Sequence, residues 1–178
     1  MAEIRGNLIS LTGRLMSLYP DAQKKADDIL FEKLGKHWNE VTIDDWVDAK
    51  IWDAFMQSYM EGSPTGEMAL ITLGKNIYPT IKNAGQIPPE IDSPLKMLEF
   101  EGEGFKMYHK GPDVKPRNFL RLDNHDVLVD APSPGYNCKV IEGVFQGIVE
   151  MFDIQNVKVT QTKCVKKGDN TCEYHITW

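Results

Sequence analysis

Residues 136–152 read YNCKVIEGVFQGIVEMF, and residues 157–176 read VKVTQTKCVKKGDNTCEYHI. The first stretch places its large apolar side chains on one stripe at helical spacing, and these are Val140, Ile141, Val144, Phe145, Ile148, Val149 and Phe152. The second stretch contains two runs of strand type, joined by the polar turn KKGDN. Together they predict a helix followed by an antiparallel hairpin. Gly143 and Gly147 stand four residues apart in the helix and leave a bare strip where another backbone can approach closely.

The remaining elements complete the architecture. Residues 118–132, NFLRLDNHDVLVDAP, predict a further hairpin that turns at Asp123–Asn124. The first half of the chain has helical periodicity instead. Helices are predicted around Leu8–Leu18, from Asp21 to Gly35, from an N-cap at Thr42 to Met60, over Glu67–Lys82, and from an N-cap at Ser93 with Pro94. We therefore predict one α+β domain spanning residues 1–178. Its helical part, about residues 1–110, packs on a small antiparallel sheet formed by residues 111–178, with one helix between two hairpins.

Composition excludes several classes of function. The chain has 178 residues, 42% of them hydrophobic, and a formal net charge of −6, which disfavours binding to nucleic acid. No apolar stretch is long enough for a signal peptide or a membrane span, so a cytoplasmic location is expected. The odd number of cysteines, three, fits a reducing compartment better than a disulfide scaffold.

The three cysteines form the most specific candidate site. Cys164 and Cys172 flank a turn centred on Gly168, and Cys138 lies in the first turn of the predicted helix. Symmetric pairing about the turn would place Cys164 and Cys172 across the hairpin on one face, so the three thiols can converge. A helix N-terminus lowers the pKa of a thiol, which favours metal binding. Three buried thiols, or a Cys164–Cys172 disulfide, are the alternatives. Zinc needs a fourth ligand or a water, and Gln161 and His175 are the nearest candidates.

In this hairpin, strict alternation cannot direct the apolar residues of both strands towards the core. If Cys172 faces the core together with Tyr174 and Ile176, strict alternation turns Val157 and Val159 away from the core. A β-bulge near Gln161 would remove the conflict, because one extra residue reverses the face of the strand that follows.

The same two stretches resemble the vinyl-four-reductase domain family. The shared pattern is a cysteine that starts a helix, a glycine near the middle of that helix, a strand ending in cysteine, a Gly-Asp turn and a second cysteine. The segment SPLKMLEF, followed by MYHKG, fits the preceding part of the family more loosely. The resemblance implies a fold shared with phenol-sensor N-terminal domains, haem nitric-oxide/oxygen-binding domains and small TRAPP subunits, with an apolar pocket between helices and sheet.

The resemblance to the phenol sensors and to the haem-binding domains leads to an expectation about zinc and about haem. In the phenol sensors, zinc is held by three cysteines that match Cys138, Cys164 and Cys172, and by a glutamate whose position is taken here by Gln161. In the haem-binding domains, an axial histidine lies on the helix before the first hairpin, and alignment puts Glu103 there. SPGYNC replaces the motif that clamps the haem propionates. The resemblance therefore implies a structural zinc and no haem, with His109 one turn or more too late to be axial.

No motif for catalysis is present, because the sequence lacks a nucleotide loop, a serine elbow and a paired-carboxylate constellation. A non-enzymatic function is expected: a sensory or carrier domain for a small apolar or aromatic molecule, with a structural zinc, that signals through a separate partner protein and that can form a homodimer. The alternatives are a haem or gas-binding sensor and an interaction scaffold with a lipid-filled pocket. The residues predicted to line the ligand pocket are Trp46, Trp52, Phe55, Tyr59, Tyr108 and His109.

Overall fold

The computed structural model describes all 178 residues. Six helices and seven strands follow one another along the chain. They are β1 (Glu3–Arg5), α1 (Gly6–Leu15), α2 (Pro20–Leu34), β2 (Trp46–Asp48), α3 (Ala49–Gly62), α4 (Glu67–Asn83), α5 (Pro94–Tyr108), β3 (His109–Lys110), β4 (Asn118–Asp123), β5 (Asp126–Asp130), α6 (Cys138–Glu150), β6 (Lys158–Lys163) and β7 (Glu173–Thr177). The predicted α+β class is confirmed.

The larger sheet has four antiparallel strands in the order β4-β5-β7-β6. Each predicted hairpin forms, and β5 and β7 pair in the middle so that the two hairpins make one sheet. The register of β6 against β7 shifts between Gln161 and Lys163, and this irregularity removes the conflict in strand alternation that the sequence poses. Because of this shift, Val159 faces Ile176 across the pair while the chain still reaches Cys164 beside the core.

A second, three-stranded sheet was not expected from the sequence. Its order is β2-β1-β3, and Ile4 pairs with Val47 on one side and with His109 on the other. The predicted helix from Thr42 is therefore wrong in its first part, because residues 46–48 form a strand. Val47 and Ile4 are both buried, so pairing between distant segments outweighs the helical spacing of the local sequence. Asp48 caps the helix that follows by accepting a hydrogen bond from the Lys50 amide at 2.9 Å.

Helices α4 and α6 pack against each other with their backbones in contact. A Cβ atom added at Gly147 would lie 2.0 Å from the carbonyl oxygen of Lys75, and one at Gly143 would lie 2.1 Å from that of Ile71. Gly74 makes the reciprocal approach from α4, where a Cβ would lie 2.1 Å from the Val140 carbonyl oxygen. The predicted glycine strip is thus the contact surface that holds the helical part against the α/β part.

Candidate functional site

The three thiols meet where α6 begins over the β6–β7 turn. The Sγ atom of Cys138 lies 3.8 Å from that of Cys164 and 3.6 Å from that of Cys172. All three sulfur atoms lie within 4.8 Å of one another, all three residues are buried, and none forms a disulfide. The sequence-predicted convergence therefore exists, and it has the spacing of a soft, three-sulfur donor set.

Local hydrogen bonds fix the backbone that carries these thiols. The Asn137 side chain accepts from the Lys139 amide at 2.9 Å and so caps α6 beside Cys138. The Asp169 carboxylate accepts from the Cys164 amide at 2.8 Å, which closes the turn between the two cysteines. The Cys172 Sγ accepts from the Val165 amide at 3.5 Å. A helix cap and a turn therefore hold the backbone that carries the three thiols.

The thiols are electrostatically unequal. The pKa of Cys172 lies below its ordinary value because the Cys138 thiol donates a hydrogen bond to it, and because backbone amides donate as well. The pKa of Cys138 is raised by that same hydrogen bond to Cys172 and by burial. Cys172 is therefore the thiol that ionises first, and an ionised sulfur is the form that binds a metal.

The two candidate fourth ligands differ in position. Gln161 is next to the thiols: its side chain acts to lower the pKa of Cys138, and its Nε2 donates to the Tyr174 hydroxyl at 3.3 Å. His175 lies on the opposite face of β7 from Tyr174, where its Nε2 is 3.0 Å from the Asp126 carboxylate. The structure thus brings Gln161, and not His175, to the sulfur cluster.

Asp53, on α3, is a neighbour of this cluster that the sequence did not indicate. Its Oδ1 is buried without a hydrogen-bond partner, and its Oδ2 lies 3.8 Å from the Lys166 ammonium. The carboxyl group also lies beside the backbone amide of Asn137. Burial raises the pKa of Asp53. Asp53 therefore lies beside both cysteine-bearing segments, the start of α6 and the β6–β7 turn. No sequence motif marks this residue.

His109, at the C-terminal end of α5, is the second candidate. It is only 8% exposed, and its Nδ1 lies 2.9 Å from the Phe105 carbonyl oxygen. A carbonyl only accepts, so Nδ1 carries the proton and Nε2 keeps its lone pair, 3.3 Å from the Tyr136 hydroxyl that donates to it. Burial lowers the pKa of His109 to about 3, so the imidazole is neutral at physiological pH. A neutral, oriented imidazole with one free nitrogen is the usual form of a metal-binding histidine.

A buried ion pair lies on the same inner face of α5. The Arg117 Nε lies 3.2 Å from each carboxylate oxygen of Glu101, and Nη2 lies 2.9 Å from Oε1. The side chains are 2% and 5% exposed, respectively. The guanidinium stacks on the Phe105 ring at 3.9 Å, and its Nη1 is buried without any partner. No local pattern predicts this pair, because Glu101 lies on α5 and Arg117 stands 16 residues later, in the loop before β4.

A groove of about 520 Å³ opens on the other side of α5, between that helix, α1 and α4. Ten of its 17 lining residues are hydrophobic, so the groove has the mixed character of a small-molecule site. Arg14 is the one charged residue among them. The Asn7 Oδ1 is buried and has no hydrogen-bond partner. Tyr78, whose pKa is raised by burial, separates the groove from the Glu101–Arg117 pair.

The six residues predicted to line a ligand pocket do not share one cavity. Trp52, Phe55 and Tyr59 are fully packed in the core, and the Trp52 Nε1 donates to the Thr12 hydroxyl at 3.1 Å. Trp46 lies in β2 at the surface. Of the other two, Tyr108 lines the groove and His109 lies on the inner face of α5. The physical reason is that α3 packs against α2 and α4, so its aromatic side chains fill volume between helices.

Solved structures of H-NOX domains share this fold, in which a helical part packs on a four-stranded antiparallel sheet. An H-NOX protein from S. oneidensis in the Fe(II)NO ligation state has a TM-score of 0.65 at 15% identity, over 97% of this chain and 98% of that chain. An oxygen-binding H-NOX domain related to soluble guanylate cyclases has a TM-score of 0.69 at 13% identity, over 98% and 94%. A structure from work on haem distortion in the H-NOX family has a TM-score of 0.69 at 14% identity, over 98% and 95%.

These likenesses show the fold of the chain. No family model matches the sequence, and no curated protein matches it. The expected wider group of folds is therefore shown, whereas the resemblance to the vinyl-four-reductase family has no support beyond the residues that suggested it. None of the helices combines the length and the apolar character that crossing a membrane requires.

The expectation that excludes haem is corrected by the same comparison, because the similar structures are haem-binding H-NOX domains. The side chains of Glu103 and His109 lie in different surroundings. Glu103, which took the axial position, is 74% exposed and pairs with Lys106 at 2.8 Å. His109 is the residue that turns inward, since the helix ends there and the chain continues into β3.

Proposed function

We propose that this chain is a sensory domain that holds haem for a small gaseous ligand, with His109 as the iron ligand. The observation that carries the proposal is the buried, neutral imidazole of His109, with Nδ1 bonded to Phe105 and Nε2 available as a lone-pair donor. The H-NOX fold supports it. Bound haem would supply an iron centre for a diatomic gas.

The interior around His109 fits such a group in two respects. Nε2 accepts a hydrogen bond from Tyr136, so a metal ion would take the lone pair that this hydroxyl now occupies, and the tyrosine hydroxyl would lose its acceptor. The unpartnered Arg117 Nη1 is a buried cationic donor, and the propionate groups of haem are carboxylates. This chain therefore offers one nitrogen ligand and one donor for an acidic group.

Haem titration of the purified protein tests the proposal. We expect a saturable Soret band at one haem per chain, and a shifted or weakened band for His109→Ala. His37→Ala is the matched control, because His37 is a half-exposed histidine paired with Asp27 far from the interior. A titration without saturation, or identical spectra for the wild type and His109→Ala, would contradict the proposal.

We also propose that Cys138, Cys164 and Cys172 bind a structural zinc ion, with Gln161 or water as the fourth ligand. Support comes from the three buried sulfur atoms within 4.8 Å of one another. Structural zinc contributes directly to folding. We expect elemental analysis of protein purified under reducing conditions to give one zinc per chain. Cys164→Ser should lose the metal and unfold at a lower temperature. Metal-free wild-type protein of unchanged stability would refute this assignment.

A second candidate function is a sensor or carrier for a small organic molecule. The groove between α1, α4 and α5 favours it, because its volume is typical of ligand pockets and its lining is mostly apolar. With either ligand, the domain would signal through a separate partner protein, as a non-enzymatic cytoplasmic domain. Its three free thiols are in keeping with a reducing compartment.

A further inference from the structure

The groove carries polar groups at defined places along α1. Asn7, Leu11 and Arg14 all line it, and their spacing of four and three residues puts them on one face of the helix. The rise of an α-helix separates the first and the last by about 10 Å. Ser10 also lines the groove, and its hydroxyl donates to the Asn7 carbonyl oxygen at 3.2 Å. Asn7 and Arg14 therefore mark the two ends of this wall, and Leu11 lies between them.

The two polar ends of the groove, Asn7 and Arg14, favour different groups on a ligand. The Asn7 Oδ1 is a buried acceptor with no partner, and a buried acceptor without a donor is unfavourable. Arg14 is a cation that takes part in none of the ion pairs of the chain. No acidic residue lines the groove, so nothing there neutralises the guanidinium. A ligand that fits both ends brings a hydrogen-bond donor to Asn7 and an anion to Arg14.

We propose that the groove binds a small organic acid with an extended apolar body, a carboxylate at one end and a hydroxyl at the other, an inference that rests on the second candidate function above. The carboxylate pairs with Arg14, and the hydroxyl donates to Asn7. The body lies on Leu11 and on the apolar residues of the opposite walls, which are Ile77, Ile81, Phe100 and Met107. Medium-chain ω-hydroxy acids have this pattern of groups.

Gly104 offers a way to close the groove without disturbing the fold. It lines the groove from α5, and a Cβ atom added there would have Tyr78 Oη as its one near neighbour, at 3.9 Å. Gly104→Leu therefore places a side chain into the open space. Leucine also favours a helix interior more than glycine does, so the variant should fold at least as well as the wild type.

Isothermal titration calorimetry with three probes tests the proposal: ω-hydroxydecanoic acid, decanoic acid and α,ω-decanediol. We expect ω-hydroxydecanoic acid to bind tightest. Removal of the acid, in the diol or against Arg14→Gln, should weaken binding by up to about fivefold, because an ion pair with an exposed arginine is lost. Asn7→Leu should weaken the hydroxy acid and leave decanoic acid unaffected. Gly104→Leu should abolish binding of all three, and Arg121→Gln, on the outer face of the sheet, should change nothing.

Each other outcome has a distinct meaning. If the diol binds as tightly as the acids, the groove is a ligand site and the second candidate function stands, but the selection for an anion is refuted. If no probe binds, or if Gly104→Leu leaves binding unchanged, both the inference and the groove as a ligand site are overturned. Thermal melting of each variant separates lost binding from lost folding.

Discussion

Replacing Glu101 with glutamine measures what the buried ion pair contributes to the domain. The substitution keeps the size of the side chain and removes its charge, so the guanidinium of Arg117 would remain at 2% exposure without a counterion. Three hydrogen bonds of 2.9 to 3.2 Å would change from charged to neutral acceptors. Removing one member of a buried pair costs about 3–5 kcal/mol. A domain of this kind has a total stability of about 5–15 kcal/mol, so the expected loss is a large fraction of it.

Urea denaturation followed by circular dichroism gives the free energy of unfolding. The matched control is Glu103→Gln, two residues away on the same helix, whose carboxylate is 74% exposed beside Lys106. Exposed pairs contribute about 0–1 kcal/mol, so the control should stay close to the wild type. The double variant Glu101→Met with Arg117→Met should recover much of the loss, because it leaves no uncompensated charge in the interior. A loss below about 1 kcal/mol for Glu101→Gln would refute the view that the pair is buried and coupled.

Three further predictions concern other parts of the molecule. Gly147→Ala should destabilise the protein by about 1–3 kcal/mol in the same assay, because its Cβ would lie 2.0 Å from the Lys75 carbonyl oxygen; unchanged stability would contradict the close contact of α4 and α6. The His109 imidazole, with its pKa lowered to about 3, stays neutral in the folded state while the unfolded chain binds a proton below about pH 6.5. Stability should therefore fall by up to about 1.4 kcal/mol per pH unit between pH 6.5 and 3, and less steeply in His109→Gln. Asp169→Ala should weaken zinc binding about tenfold in a chelator competition, because the Cys164 amide loses its acceptor at 2.8 Å.

The sequence predicted the elements whose signal is local. The α6 stripe, the two hairpins and the Ser93–Pro94 start of α5 depend on residues a few positions apart, and each of them forms. The bulge near Gln161 followed from a conflict between the two strands of one hairpin. The thiol cluster could be predicted for the same reason, since two cysteines flank one turn and the third begins the preceding helix.

Features that join distant segments had no such signal. The sheet of β1, β2 and β3 depends on Ile4 meeting Val47, and neither flanking segment looks like a strand by itself. Asp53 reaches the cysteine turn only because α3 packs beside it. The groove likewise forms only where α1, α4 and α5 meet, and its lining residues are spread along the chain from Asn7 to Tyr108. In these cases the packing of the whole chain, and not the local pattern, brings the residues together.

The two glycines in the middle of α5 show how a local rule can be outweighed. Each glycine weakens a helix by about 1 kcal/mol, so the pair opposes the helix that Ser93 and Pro94 predict. In the structure, a Cβ atom at Gly102 would lie 3.4 Å from the Phe119 ring and 3.5 Å from the Arg117 Cβ, which are ordinary contact distances, so this position would admit a methyl group. Gly104, half a turn further, leaves the space that Tyr78 borders. The helix forms in spite of both glycines because its inner face is packed around Met97, Leu98 and Phe105, and the absence of a side chain at Gly104 leaves the groove open on the other side of α5.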